Sequence, residues 1–420
     1  MLAILPMRSL IRTSGGPRLL AAAMLDAAGT GVILPLSVLY FVIDVGLSAR
    51  SVGVGMTVAG IVALLAAPLG GHFVDHAGPK RALISAWIAA AFAAAGFAVV
   101  QDWFEMVVVI AALSVATSVS GTSRATLLAS FVSRAEISGV MAVQRTFRNI
   151  GYGIGGLLAT AALAAGSTGF LVAICCNAAS FLVAALLVLG VKAPAVTRSR
   201  EPASKSPESD PRQITLRTVF TDKRYVAVSL LDCLTTFHQV ALQVAMPLWV
   251  VLYTDAPRAL VGLLFTLNTA LVVAGQVRVS RGVRTLDHAP RAYVRCALSM
   301  AGAGGAFLAA HYVGAVAAIA LLVAGTVLMT CAEMFAEAAD WVVSFALADD
   351  DHRGKYLSVY SMGGSLGTAV GPTVSTTLMA AGAIVTWPAI AAIVVCGALP
   401  AGAIAASAVR GARETEPAYS

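Results

Sequence analysis

Along this chain, long apolar runs alternate with short polar breaks. A helix that crosses a bilayer takes about 20 apolar residues. Hydropathy therefore predicts twelve membrane spans, over 19–43, 51–74, 82–100, 105–127, 139–165, 168–190, 225–252, 259–277, 292–311, 315–346, 355–380 and 384–408. Most breaks are very short, as at Gly166–Ser167 and Gly382–Ala383. The exception is 191–224, a charged stretch with Pro202, Pro207 and Pro211, which reads as a linker. It divides the chain into a six-helix bundle over 1–190 and another over 225–420.

Composition narrows the class further. The chain has 420 residues, 59% hydrophobic and 12% charged, with a mean hydropathy of +0.85. Soluble domains average about 25% charged residues and roughly 45–50% apolar ones. A soluble enzyme of this length would leave too much apolar surface in water. Intrinsic disorder needs the opposite balance, low hydrophobicity and high charge. An all-α integral membrane protein remains. The first apolar run, Leu19 to Val45, is longer than the h-region of a signal peptide, about 7–15 residues, so it reads as a span that stays.

The net charge of +7 would suggest nucleic acid as a partner in a soluble protein. Here it sets topology instead. With the N-terminus placed inside, only Arg50 and Arg258 of the 28 Lys and Arg fall outside, against the acids Asp44, Asp102, Glu105 and Asp255. Such asymmetry places both termini and the linker in the cytoplasm. Ala- and Gly-rich helices and a preference for Arg over Lys suggest a high-GC genome, hence a bacterial inner membrane. The six cysteines, Cys175, Cys176, Cys233, Cys296, Cys331 and Cys396, lie in or beside apolar runs without metal-ligand spacing. They read as small packing residues.

The two halves look like repeats. Arg18 and Asp26 open span 1 as Arg224 and Asp232 open span 7, eight residues apart in both. Pro35-Leu-Ser-Val-Leu-Tyr40 is echoed by Pro247-Leu-Trp-Val-Val-Leu-Tyr253. Spans 5 and 11 align without a gap, with Val143, Gly151 and Gly155 on Val359, Gly367 and Gly371. Matches of 1 with 7 and of 5 with 11 imply a parallel duplication, one of the known transporter plans. Glycines every four residues, including Gly151 and Gly155, then Gly363, Gly367 and Gly371 before Pro372, line one helical face and let helices approach closely.

After span 2 the chain reads Gly71-His-Phe-Val-Asp75-His-Ala-Gly78-Pro-Lys80-Arg81. This resembles the loop 2–3 signature of the major facilitator superfamily, with Gly71, Asp75, Gly78, Lys80 and Arg81 on the pattern, and His76 and Pro79 replacing basic positions. The segment Arg353 to Pro372, with Glu333 upstream, looks like helices 11 and 10 of the bacterial twelve-helix drug–proton antiporter branch. The resemblance covers nearly the whole chain. It implies a loop 2–3 cluster that latches the outward-open state, with Asp75 near the start of span 11 around Gly354, where the helix dipole favours an anion. Two features depart from that branch: span 5 lacks the Gly-Pro of the antiporter signature, and Arg124 lies nearer the inner end of span 4 than the usual Arg.

Five acids fall within predicted spans: Asp26, Asp232, Glu333, Glu337 and Asp340. An ionised Asp at a helix centre costs about 2.5–3.5 kcal/mol on insertion scales, so such acids mark cavities and proton paths. A carboxylate at that depth can exchange protons near neutral pH. Glu333, Glu337 and Asp340 share one face at i, i+4, i+7. Asp232, Thr236, Gln239 and Gln243 form a polar stripe on span 7, while His238 lies off it and reads as a packing residue. Asp26 and Thr30 form a shorter stripe on span 1, with Arg18 or another inner-side Arg as the partner of Asp26. Arg145 and Arg148 either neutralise such acids or mark the cytoplasmic end of span 5.

The expected function is secondary active transport: proton-coupled efflux of small amphipathic molecules by a monomer that needs no metal or other cofactor. Its expected partners are a small-molecule substrate, protons and the lipid bilayer. Asp26, Asp232, Glu333, Glu337, Gln239 and Gln243 are the candidates for the cavity and for coupling. The chain has no Walker-type phosphate loop and no Ser nucleophile elbow. Two alternatives stay open: a proton symporter importing a metabolite, and a lipid-acting membrane enzyme built on Asp349, Asp350, Asp351 and His352.

Overall fold

The computed structural model describes residues 15–131, 137–191, 216–349 and 352–415, and every regular element among them is helical. The helices run α1 Gly16–Asp44, α2 Ala49–Ala77, α3 Pro79–Val99, α4 Trp103–Ala129, α5 Ile137–Ala164 and α6 Gly166–Leu189. After a short helix at Leu216–Thr221 they continue as α7 Lys223–Tyr253, α8 Leu260–Gly282, α9 Leu286–Ala310, α10 Ala315–Ala346, α11 Arg353–Ala380 and α12 Ala383–Thr415. Ten of these are long and apolar enough to cross a membrane; α5, with its arginines, and α11, rich in Gly, Ser and Thr, fall below that mark. Most of the linker expected over 191–224, and Asp350 and Asp351, lie outside the described residues.

Local chemistry sets the helix ends. Ser48 caps α2 by accepting from the Ser51 amide at 3.0 Å. Asp102 caps α4 through the Glu105 amide, while Glu105 accepts from the Gln101 amide. A single residue, Gly78 at φ +82°, joins α2 to α3. That left-handed conformation suits glycine, and Pro79 then starts α3 with its φ already helical. Asp75 and His76, expected in a loop, therefore sit in the last turn of α2. Helix α8 runs five residues past the end of its apolar run and carries Arg278 and Arg281 within the helix.

Packing divides by sequence. In the first half α1 packs on α5 and α6, α3 on α4 and α6, and α2 on α4. In the second half α7 packs on α11 and α12, α9 on α10 and α12, and α8 on α10. Two main seams join the halves, α2 with α11 and α5 with α8, and the outer part of α7 also touches α1. Away from these contacts, large apolar side chains such as Leu65, Leu69, Phe92, Leu186 and Leu298 are exposed, as expected where hydrocarbon is the solvent.

Glycine sets the tightest contacts. A Cβ on Gly151 or Gly155 would run into the α1 backbone at Met24 and Ala28. A Cβ on Gly363 or Gly367 would run into the α7 backbone at Ser229 and Cys233, and one on Gly371 would meet Val240. Both seams between the halves also use small residues. Gly53 and Gly60 of α2 face Pro372, Thr376 and Ala369 of α11, and Gly156 of α5 faces Gly262 and Thr266 of α8.

Those seam contacts all lie toward one face, called here the far face. The opposite face carries the first residues of α1 and is called the terminal face. Near the far face, Thr373 Oγ1 hydrogen-bonds Thr57 Oγ1 at 2.8 Å across the α2–α11 seam. Toward the terminal face a pocket opens between Ala63, Leu64 and Ala67 of α2 and Ser365 and Thr368 of α11. The molecule is thus closed at the far face and parted at the terminal face.

Because backbone cannot move aside, Gly151→Ala and Gly367→Ala should each cost about 1–3 kcal/mol. Gly121→Ala, whose Cβ would meet nothing within 4 Å, should be neutral or add up to about 1 kcal/mol. Thermal melting of the detergent-purified protein measures all three.

Candidate functional site

Polar residues from α5, α7, α8 and α10 converge, with Leu34 of α1, on a central cavity of about 190 Å³. Its polar lining is Asn149 and Tyr152 of α5, Gln239 and Gln243 of α7, Asn268 and Thr269 of α8, and Glu333 of α10. A second cavity, of about 310 Å³, lies on the terminal side and is lined by Arg145, Asp232, Thr236, His238, Glu337, Asp340 and Tyr360, among others. Gln239 lines both, so the two adjoin.

The shape of α7 makes this possible. Its first helical segment ends at Thr235, and the Gln239 amide reaches back three residues to Thr236 at 3.0 Å rather than four to Thr235. The freed Thr235 carbonyl is met by His238 Nδ1 at 2.7 Å. A π-helical turn then covers Ala241–Ala245 before α-helix resumes at Met246. Such wide turns rotate the side chains that follow and are frequent at functional sites. Here the break lets Gln239 and Gln243 face the central cavity while Asp232, Thr236 and His238 face the second.

The acids are held in different ways. Asp26, 4% exposed, accepts from Arg124 at 2.9 Å and Arg148 at 2.8 Å. Arg148 also donates to the Tyr152 hydroxyl, which ties this cluster to the cavity wall. Asp26 itself lines neither cavity among their described walls. Its partners are thus Arg124 and Arg148 rather than Arg18, which donates instead to the Gly190 carbonyl.

Glu337 takes both its hydrogen bonds from Arg145 Nη2, at 2.8 and 3.0 Å, and this pair reaches from α5 to α10 across the parted face. Glu333 accepts from the neutral Asn268 amide at 2.8 Å and has no basic group within ion-pair distance among the described residues. Asp340 accepts from the Tyr293 and Tyr360 hydroxyls at 2.7 and 3.0 Å. Asp232 has no ion pair among the described residues either, and lies against Gly364 of α11.

The walls therefore differ in charge. The first half offers Arg145, with Asp26 neutralised behind the wall by Arg124 and Arg148; the second offers Asp232, Glu333, Glu337 and Asp340. Sequence reading did not single out Asn149, Tyr152, Asn268, Tyr293 or Tyr360. A lone Asn within the apolar run of span 8 was the available signal for Asn268.

The glycines of α5 and α11 line helix contacts, with Pro372 among them on the α2–α11 seam. Of the loop 2–3 residues, Lys80 donates to the Leu189 carbonyl at 2.9 Å, Gly71 has open space where a Cβ would stand, and Asp75 and Arg81 are exposed. Gly354, the expected neighbour of Asp75, also has nothing within 4 Å of a built Cβ.

Removing one member of a buried ion cluster leaves its partners uncompensated and costs about 3–5 kcal/mol. Asp26→Asn should therefore lower stability by that order. Asp232→Asn should be neutral or stabilising, since it removes an unpaired buried charge. Paired thermal melts of the two variants check the contrast.

The description of the Major Facilitator Superfamily matches residues 19–340. No curated protein matches significantly. Among solved structures, a mutant form of the nucleoside transporter NupG superposes with a TM-score of 0.76 at 14% identity, over 93% of this chain and 98% of that one. A bacterial homolog to the human lysosomal transporter Spinster, inward-facing and occupied, gives 0.65 at 13% identity over 94% of each chain. A POT family transporter in complex with 5-aminolevulinic acid gives 0.65 at 12% identity, over 95% of this chain and 96% of that one. At these identities the likeness shows fold alone. The family match spans most of the sequence, and with the all-helical architecture it establishes that this chain belongs to the Major Facilitator Superfamily of transporters.

Proposed function

We propose that the chain is a proton-coupled exporter of small amphipathic molecules, positively charged ones foremost, and that it works as a monomer in a bacterial inner membrane. The observation that carries this reading is Glu333. It faces the central cavity with a neutral Asn268 as its hydrogen-bond donor, so either a proton or a cationic substrate can neutralise it. Two ligands that exclude each other at one carboxylate give antiport, because binding of one requires release of the other. Each proton that enters carries about 2.3 kcal/mol per 100 mV of membrane potential. Such a cycle agrees with the drug–proton antiporters that the sequence resembles.

The reading takes the fold as twelve spans in two related bundles, 1–190 and 225–420, with both termini and the linker 191–224 cytoplasmic. Several features support the relation. The packing partners of α1 to α6 recur in α7 to α12. Tyr40 of α1 donates to the Phe97 carbonyl of α3 as Trp249 of α7 donates to the Phe307 carbonyl of α9. The Gly151 and Gly155 contact on α1 has its counterpart in Gly367 and Gly371 on α7. Basic residues concentrated toward the terminal face support its assignment to the cytoplasm. The parted terminal face then corresponds to an inward-open state. A likeness to a solved structure described as inward-facing agrees with this.

In an inward-open state the loop 2–3 latch is released, which accounts for an exposed Asp75 and for the room around Gly71. The outward-open state would bring α2 and α11 together on the cytoplasmic side and give Gly71 its reason to be small.

A second reading is import of an uncharged polar solute with protons. Asn149, Gln239, Gln243 and Asn268 favour it, since amide side chains suit a ligand rich in hydrogen-bonding groups. The fold likeness to a nucleoside transporter points the same way. Direction separates the two readings: export requires substrate added to inside-out vesicles to release protons from the lumen, whereas import requires solute uptake into intact cells driven by a pH gradient.

Under the export reading, Glu333→Gln and Asp232→Asn should each abolish substrate-triggered proton flux in inside-out vesicles; unchanged flux in both would sink the coupling assignment. Gly71→Leu should leave the melting temperature of the inward-open protein unchanged, yet slow transport by at least about tenfold, equivalent to 1.4 kcal/mol on the conformational barrier. Paired melting and transport rates test it.

A further inference from the structure

His238 is the buried titratable side chain that the reading above leaves without a task. It is 3% exposed and lines the second cavity. The break in α7 fixes its protonation pattern. Nδ1 lies 2.7 Å from the Thr235 carbonyl oxygen, which only accepts, so Nδ1 carries the hydrogen. In the neutral ring Nε2 then holds a free lone pair. Nε2 is buried and has no hydrogen-bond partner among the described residues. Native structures seldom leave such an atom unanswered without a functional reason.

The groups around it are mostly acids. Asp232 comes from its own helix, Glu333, Glu337 and Asp340 from α10, Arg145 from α5 and Tyr360 from α11, with Tyr293 of α9 behind Asp340. His238 lies within electrostatic reach of both Glu333 and Asp340. Glu333 belongs to the central cavity and Asp340 to the second, and Gln239, next to His238 in sequence, lines both.

We propose that His238 relays protons between Glu333 in the central cavity and the Asp232–Asp340 pair on the terminal side. This rests on the proton-coupled reading. Protonated Glu333 gives its proton to Nε2, leaving a carboxylate and an imidazolium. The Nε2 proton then passes to the Asp340 or Asp232 carboxylate, which restores the neutral ring; water reaches Nε2 as the adjoining cavity widens during the cycle. The Nδ1 hydrogen stays on the Thr235 carbonyl throughout, so the helix break is preserved while the other nitrogen cycles. Transfer in this sense moves a proton toward the terminal face, as inward movement during export requires.

His238→Asn is the informative variant. Its amide NH₂ can still reach the Thr235 carbonyl, but the Nε2 site is gone. Two measurements on the full chain decide the matter. The first is ¹⁵N NMR of the His238 ring in lipid nanodiscs, which needs no substrate. A neutral Nδ1–H ring that takes up a proton with a midpoint that moves in both Glu333→Gln and Asp340→Asn supports the relay. An Nε2–H ring, no titration, or a midpoint indifferent to either acid overturns it.

The second is proton flux in proteoliposomes triggered by tetraphenylphosphonium, an amphipathic cation. His238→Asn should lower it about 100-fold, the scale of a general acid–base group, with tetraphenylphosphonium binding unchanged. Full flux in His238→Asn overturns the relay while leaving coupling intact. Wild-type protein that binds the cation but moves no protons overturns the coupling reading itself, and the NMR result then stands alone.

Discussion

Asp26 sits between Arg124 and Arg148 inside a protein whose outer surface is hydrocarbon-facing. Charge in such a medium has to be answered by opposite charge, by hydrogen-bond donors or by a proton. The chain uses opposite charge and hydrogen-bond donors, and their distribution organises the site. In the first half the answer is fixed: two guanidinium groups hold one carboxylate and tie α1, α4 and α5 together. In the second half Asp340 has two tyrosine hydroxyls, Glu333 has one amide, and Asp232 has no ion pair among the described residues. The first arrangement ties helices together, whereas the second leaves acids at the cavities that no fixed cation answers among the described residues, Glu337 with Arg145 apart.

Helix α7 translates that electrostatic difference into geometry. A straight helix would keep Asp232, Gln239 and Gln243 on one stripe facing one space. The break at Thr236 and the π-turn at Ala241–Ala245 distribute the stripe over two adjoining cavities. The tight seat of α11 on α7 through Gly363 and Gly367 then brings Tyr360 into hydrogen-bonding distance of Asp340. Small residues at the helix contacts and polar residues at the cavity are thus parts of one arrangement, since the second can converge only where the first let backbones close in.

Much of the helix placement was legible in the sequence because a bilayer-length apolar run has few other uses. Span 10 was read at its observed bounds, Ala315–Ala346, and the acids on α10 were recognisable from their spacing alone. The partners of those acids were not. Arg124 and Arg148 lie 98 and 122 residues from Asp26, and nothing local announces such a pairing. The break in α7 escaped as well, because Thr236 is not a helix-breaking residue; the kink is maintained by His238 capping a carbonyl, which no propensity encodes. For the same reason His238 read as packing: a regular helical wheel puts it off the stripe, and only the broken helix turns it toward the second cavity. Asp75 shows a different limit: it is exposed, and nothing lies within 4 Å of a Cβ built on Gly354, its expected neighbour.

The turns between helices carry a mechanical consequence. Gly78 alone separates α2 from α3, and glycines at φ +64° and +111° close the α5–α6 and α11–α12 turns. Connections this short leave no slack. Neither helix of such a pair can slide far without dragging its neighbour, so α2 with α3, α5 with α6 and α11 with α12 are tied as pairs. Where one helix of a pair also lines a seam or a cavity, as α5 and α11 do, a shift at that contact is passed directly to its partner.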